Sequence, residues 1–148
     1  MAYKGKYKVK NPSKYVGAVD NVVYRSSWER RFMVYADTNP NVVKWNSEEL
    51  VIPYVSPVDG KVHRYFPDFW IEVKDEKGKI SHMVIEVKPK TQVGPPKKAT
   101  NPGPKSKFRY AKAMKTWKVN EAKFKMAKEF CDDRKWQFKI LTEDHLVK

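Results

Sequence analysis

Two runs of β-branched and aromatic residues, joined by a short polar link, constrain this chain most. They are His63-Arg-Tyr-Phe-Pro-Asp-Phe-Trp-Ile-Glu-Val73 and Ile80-Ser-His-Met-Val-Ile-Glu-Val-Lys88, separated by Asp75-Glu-Lys-Gly-Lys79. Runs of this composition about a glycine-bearing link predict a β-hairpin. A link centred on Lys77 sets Lys74 opposite Ile80, Trp70 opposite Val84 and Asp68 opposite Glu86. Alternation then puts Phe69, Ile71, Val73, Met83, Ile85 and Val87 on one apolar face, and Asp68, Glu86 and Lys88 on the other. Two carboxylates side by side repel, and either share a proton or hold a cation. A hard divalent ion such as Mg2+ or Mn2+ meets that need, because it prefers oxygen ligands and keeps waters for chemistry.

Charge points to the same class of partner. Across 148 residues the net charge is +14, which attracts polyanions through release of condensed counterions, so nucleic acid is the expected partner, a ribosomal-type or membrane-surface binder being the alternative. With 41% hydrophobic residues the length suits one globular domain. Neither a long apolar run nor a signal-peptide core is present, so no membrane association is expected and an intracellular protein is the default. One cysteine, Cys131, and three histidines supply neither an internal disulfide nor a zinc-ligand set.

Along the chain, residues 1–22 are basic and aperiodic and predict an N-terminal arm ordered only against DNA or another protein, with the main domain over 23–148. A helix is expected from Tyr24 to Asp37, with Trp28, Phe32 and Tyr35 at helical spacing and a stop before Asn39-Pro40. Glu29, three residues after Ser26, fits a capping box, a purely structural role. Extended segments follow at Val42–Asn46 and Glu49–Val55, where Pro53 marks an edge and Trp45 a core position, base stacking being the alternative for Trp45. The proline- and glycine-rich stretch over 89–106 is a basic loop suited to covering a DNA backbone, or a solvated linker. From Lys107 to about Arg134 a helix is expected, with Tyr110, Met114, Trp117, Phe124 and Cys131 as its core stripe and a potential break at 117–121. Its lysines face either DNA or solvent. Trp136–Leu141 closes the domain as a short strand, and His145 is expected at the surface.

Pro67-Asp68 followed by Glu86-Val87-Lys88 resembles the signature of the PD-(D/E)xK nuclease superfamily, and the order helix, three strands, loop, long helix, strand is similar to its core. The resemblance implies an α/β (α+β) fold with a restriction-endonuclease-like core, a mixed central sheet flanked by helices. It also implies hydrolysis of DNA phosphodiesters with Mg2+ or Mn2+. Carried over, Asp68 and Glu86 are metal ligands, the Val87 carbonyl completes the coordination, and Lys88 orients the attacking water. Arg25-Ser-Ser-Trp-Glu29 is similar to the first helix of the branch holding transposon-end endonucleases and phage head-completion nucleases. There the helix adds an acid to the metal site, so Glu29 is both a capping and a metal-ligand candidate. Arg25, Lys90, Gln92, Lys97, Lys98 and Lys105 are the expected backbone contacts, reading no bases. Size and the Glu-Val-Lys-Pro-Lys run look most like the head-completion nucleases of T4-type phages. That likeness implies action in the host cytoplasm or in the virion, with capsid or portal proteins as partners. Two other readings share the sequence: a non-catalytic DNA-binding head protein, and a transposon-end or junction-cutting nuclease.

Overall fold

The computed structural model describes residues 4–98, 100 and 103–146. The first three residues of the expected arm, and Ala99, Asn101 and Pro102 of the expected loop, lie outside the described residues. The fold is mixed α and β, as the motif order implies. Strands β1 (Gly5–Lys6) and β2 (Val23–Tyr24) pair antiparallel ahead of helix α1 (Ser27–Thr38) and strand β3 (Val42–Ser47). A separate hairpin, β4 (Ile52–Val55) and β5 (Val62–Tyr65), precedes the long hairpin of β6 (Phe69–Lys74) and β7 (Ile80–Val87). Helix α2 (Pro104–Asp133), strand β8 (Gln137–Leu141) and the turn-length helix α3 (Glu143–Leu146) complete the chain. Among the described residues no helix is long and apolar enough to cross a membrane.

The central sheet has the order β3-β6-β7-β8, with β8 parallel to β7 and every other pair antiparallel. The β6–β7 register is the one that a link centred on Lys77 demands, with Trp70 opposite Val84 and Lys74 opposite Ile80. The link itself holds that register. Asp75 accepts the N–H groups of Lys77 and Lys79 on its carboxylate, and Gly78 sits at φ +80°, where a side chain would be strained.

Alternation divides two cores. Phe69, Ile71 and Ile85 join Phe32, Met33 and Ala36 of α1, with Trp45 fully buried beside them, and Val73, Met83 and Val87 at the margin. On the other face Val84 is fully buried, and Phe138 packs with the second half of α2 and with Ile52, Tyr54 and Tyr65. Cys131 is buried on α2, and burial pushes its thiol up to about 11.

Two expectations fail, each for a physical reason. Residues 4–22 are no loose arm: Tyr7, Val9, Tyr15 and Val22 belong to the first core, and Val16 N–H donates to the Trp45 carbonyl at 2.9 Å. Much of this segment's polarity is spent on the C-terminus of α1. Lys14 Nζ donates to the carbonyls of Asp37 (3.0 Å) and Asn39 (2.9 Å), and Asn11 to Asp37 (2.8 Å), satisfying groups the helix leaves open. The long helix also departs from expectation. It runs unbroken through 117–121, and its apolar stripe is core only from Val119 onward, where it meets Ile52, Tyr54, Tyr65 and Phe138. Tyr110, Met114 and Trp117 remain half-buried, outside both cores.

Asp37, fully buried, ties the N-terminal segment down. Its carboxylate accepts from Tyr7 Oη (2.7 Å), Lys10 N–H (2.8 Å) and Asn11 N–H (3.0 Å). Burial alone would raise its pKa, but these donors outweigh burial and hold it below the usual carboxylate value. A depressed carboxyl stabilises the fold fully above the unfolded value, near pH 4, and that contribution is lost as pH falls through the folded value. Asp37→Asn is therefore expected to cost about 3 kcal/mol in urea unfolding at pH 7. Between pH 4 and 2 the variant should lose less stability than the wild type; parallel losses would refute the assignment.

Candidate active site

Asp68 precedes β6, behind the fully buried Pro67, and Glu86 and Lys88 sit at the end of β7. The two strands continue their register here through one polar contact. The Val87 N–H donates to Asp68 Oδ2 at 2.7 Å, so the Asp68 carboxylate is fixed on the backbone between Glu86 and Lys88. Glu86 is held from two directions: Tyr65 Oη donates to its Oε1 at 2.6 Å, and Lys88 Nζ lies 3.9 Å from its Oε2. The Lys88 ammonium rests 5.6 Å from the centre of the Phe124 ring on α2, while its N–H donates to the Leu141 carbonyl at 2.9 Å. The three motif residues predicted on one face of the hairpin are thus brought together.

Glu29 plays the structural part foreseen for it, and stands near the site as well. Ser26 caps α1, accepting the Glu29 N–H at 3.1 Å, and Glu29 Oε1 in turn accepts the Arg25 N–H at 3.3 Å. The return bond goes to the residue before the cap, a variant of the capping box. Its charge is felt by Asp68 and by Glu86. Among the described residues, however, no three His, Cys, Asp or Glu side chains close into a ligand cluster. The caps on the Glu29 carboxylate hold it to its own helix terminus.

Burial dominates the electrostatics. It pushes the Asp68 carboxyl well above its ordinary value; the charges of Glu86, Glu29 and Glu48 add to this, and the Val87 hydrogen bond only partly opposes it. Glu86 is raised by burial too, against the pull of Tyr65, Lys88 and Lys123. Glu29 is raised by burial in spite of the Arg25 N–H. Carboxylates gathered with too little positive charge form the donor set that a hard divalent cation fits.

Three contributors were missed in the sequence. Glu48, at φ 55° in the turn after β3, pairs closely with Arg25, and its N–H donates to the Asp68 carbonyl at 3.1 Å. Tyr65 holds Glu86. Lys123 sits with Nζ 5.7 Å from the Tyr65 ring centre and 5.8 Å from that of Tyr54. Helical spacing carried a signal for Lys123, which shares a face with Arg109, Lys112 and Thr116. Glu48 carried none, since its place depends on how β3 meets β6.

The expected DNA contacts scatter. Arg25 lies at the site, in its pair with Glu48, and Gln92 lies in a hollow against α2. Lys98 Nζ covers the Tyr110 ring at 5.7 Å, and Lys97 and Lys105 are exposed. Lys90 turns to the other end of the chain, pairing with Asp144 at 3.0 Å while its N–H donates to Glu143 at 2.6 Å. An exposed pair of this kind is weak and gives way readily to a phosphate.

A carboxyl whose pKa is raised on folding makes the native state bind more protons, so it lowers stability as pH climbs from about 4 through the folded value. Asp68→Asn removes that cost. Its melting temperature should exceed the wild type's by a few degrees at pH 7 in the absence of divalent ions, with the gap closing toward pH 4. A variant less stable at both pH values would show that the Asp68–Val87 contact outweighs the repulsion.

Residues 39–143 match the model of the TnsA-like endonuclease N-terminal family, a span that includes Asp68, Glu86, Lys88 and the whole central sheet. The chain is also 42% identical over 146 residues to the head completion nuclease of Enterobacteria phage T4, an alignment covering 99% of this chain and 95% of that protein. A hairpin carrying Asp68 against Glu86-Val-Lys88, a helix-borne Glu29 and these two matches together place the chain in the TnsA-like endonuclease family of PD-(D/E)xK nucleases.

Proposed function

We propose that this nuclease hydrolyses DNA phosphodiesters with the help of a divalent cation, Mg2+ or Mn2+, held by Asp68 and Glu86, and that it acts in phage head completion. The observation that carries this reading is the buried, mutually repelling pair of carboxylates beside Lys88. The Val87 carbonyl is a third oxygen of the set, and Glu29 a fourth once its carboxylate leaves the cap. A bound divalent ion would polarise the phosphate and lower the pKa of an attacking water. The chain's own residues do the rest. Val87 N–H and Tyr65 Oη fix the two carboxylates in place, so that little reorganisation accompanies binding. Lys88, half-buried against Phe124 and 3.9 Å from Glu86 Oε2, would present its Nζ to the water and the phosphate. Arg25 and the exposed lysines of the 90–105 segment draw in the backbone without reading sequence, which supports action on many DNA sequences.

The name of the phage T4 relative supports a role in finishing the head, in the host cytoplasm or in the virion, with capsid or portal proteins directing the enzyme to DNA. A purified-protein assay tests the chemistry. Wild type should cut linear or flapped DNA with Mg2+ or Mn2+ and not with EDTA. Asp68→Ala, Glu86→Ala and Lys88→Ala should each lose at least about a hundredfold in rate. All of them should still bind DNA. If every protein binds alike and none cuts any substrate with either ion, the hydrolytic reading fails and the non-catalytic, DNA-binding head protein replaces it.

A further inference from the structure

The first half of α2 stands clear of both cores, yet the face it turns inward is not bare. Arg109, Lys112, Thr116 and Trp117 look across a groove of about 400 Å3 at the segment 91–96, which follows the active-site strand directly. Thr91 and Gln92 from that segment and Asn120 from the helix complete the polar lining, and no carboxylate contributes to it. The groove runs on toward the site. Gln92, Trp117 and Asn120 also line the adjoining hollow, whose floor includes Phe124, the ring beneath Lys88 Nζ. Arg109, Lys112, Thr116 and Lys123 follow at i, i+3, i+7 and i+14, one stripe down a single helix face. The last of them reaches the Tyr65 that holds Glu86.

The chemistry of this lining is selective. Two cations and two hydroxyls suit a phosphodiester. A half-buried indole offers a face for stacking, and two carboxamides each carry a donor and an acceptor for a base edge. A base inside a duplex has its faces occupied by its neighbours, so an indole can stack only on one that is unpaired. The volume lies in the range of small-ligand sites and is too small for a double helix to enter.

We propose that this groove is a subsite for an unpaired nucleotide of the DNA strand entering the active site, its phosphate on Arg109 and Lys112 and its base on Trp117. The assignment rests on the nuclease reading above and extends it: the enzyme engages DNA where the duplex is open, at an end, a tail or a flap. Lys123 then carries the backbone from the groove to Glu86.

The test is a binding measurement in EDTA at fixed ionic strength, so that cutting does not enter. The probes are an end-labelled oligothymidylate of about ten nucleotides and a blunt two-strand duplex of about twelve base pairs, each variant being compared with the wild type on the same probe. Arg109→Glu and Trp117→Leu should each weaken the oligothymidylate about tenfold. Lys77→Glu makes the same charge change as Arg109→Glu at the far turn of the β6–β7 hairpin, and should weaken it less than about threefold. On the blunt duplex Arg109→Glu should do no more than Lys77→Glu does. Equal losses for Arg109→Glu and Lys77→Glu on the single strand overturn the subsite, since general electrostatics then explains all binding. So does a folded Trp117→Leu that binds like wild type, and so does a tenfold loss on the duplex as well, which makes the groove a duplex-backbone contact. Should Trp117→Leu fail to fold by circular dichroism, the comparison of the two exposed charge reversals decides. A wild type that shows the single-strand pattern in EDTA but never cuts with Mg2+ refutes the hydrolytic reading and leaves the subsite standing.

Discussion

The bond from the Val87 N–H to Asp68 Oδ2 is the contact on which the site depends. It crosses from one strand of the central hairpin to the residue just ahead of the other, and so converts the register of β6 and β7 into the placement of a carboxylate. That register is set at the opposite end, by Asp75 gathering two N–H groups and by Gly78 in a left-handed conformation. A slip by one residue would turn Phe69, Ile71 and Ile85 out of the first core and carry Asp68 away from Glu86. Packing and the grouping of Asp68 with Glu86 are therefore specified together, by one alternation pattern.

The supporting elements each bring particular groups to that hairpin. Helix α1 buries Phe32 and Met33 on the same sheet face as Ile85, and its capped N-terminus brings Glu29 and Arg25 to the site. The β4–β5 hairpin delivers Tyr65 to Glu86. On the opposite face, α2 supplies Phe124 under Lys88, with Lys123 alongside Tyr65. The N-terminal segment acts at one remove: through Asp37, Lys14 and Asn11 it closes the C-terminus of α1 and so steadies the helix that carries Glu29.

What was legible in the sequence followed from short-range periodicity. The hairpin register, the buried Trp45, the Ser26 cap and the Asp68, Glu86, Lys88 grouping all rest on spacing within some twenty residues. What was not legible depends on long-range packing. Residues 4–22 have the composition of a solvated arm, and only the open carbonyls at the end of α1 explain where the side chains of Lys14 and Asn11 go. Glu48 belongs to the site because β3 lies beside β6, a pairing no local pattern states. The apolar stripe of α2 is regular along its length, yet the partners it meets differ, so the same periodicity means core from Val119 onward, against Ile52, Tyr54, Tyr65 and Phe138, and groove before it, against the 91–96 segment.

The protein as a whole has a net charge of +14, yet around Asp68 four carboxylates, those of Glu29, Glu48, Asp68 and Glu86, face three cations, Arg25, Lys88 and Lys123. A polyanion drawn to the surface by its long-range field meets, at the point where the strands converge, a local excess of negative charge. Burial sharpens the conflict, because repulsion between carboxylates grows as water is excluded. A site built this way cannot take up a phosphate on attraction alone. On the proposed function a hard cation would relieve that excess, and the Val87 and Tyr65 hydrogen bonds, which favour the ionised carboxylates against burial, would help both to receive it.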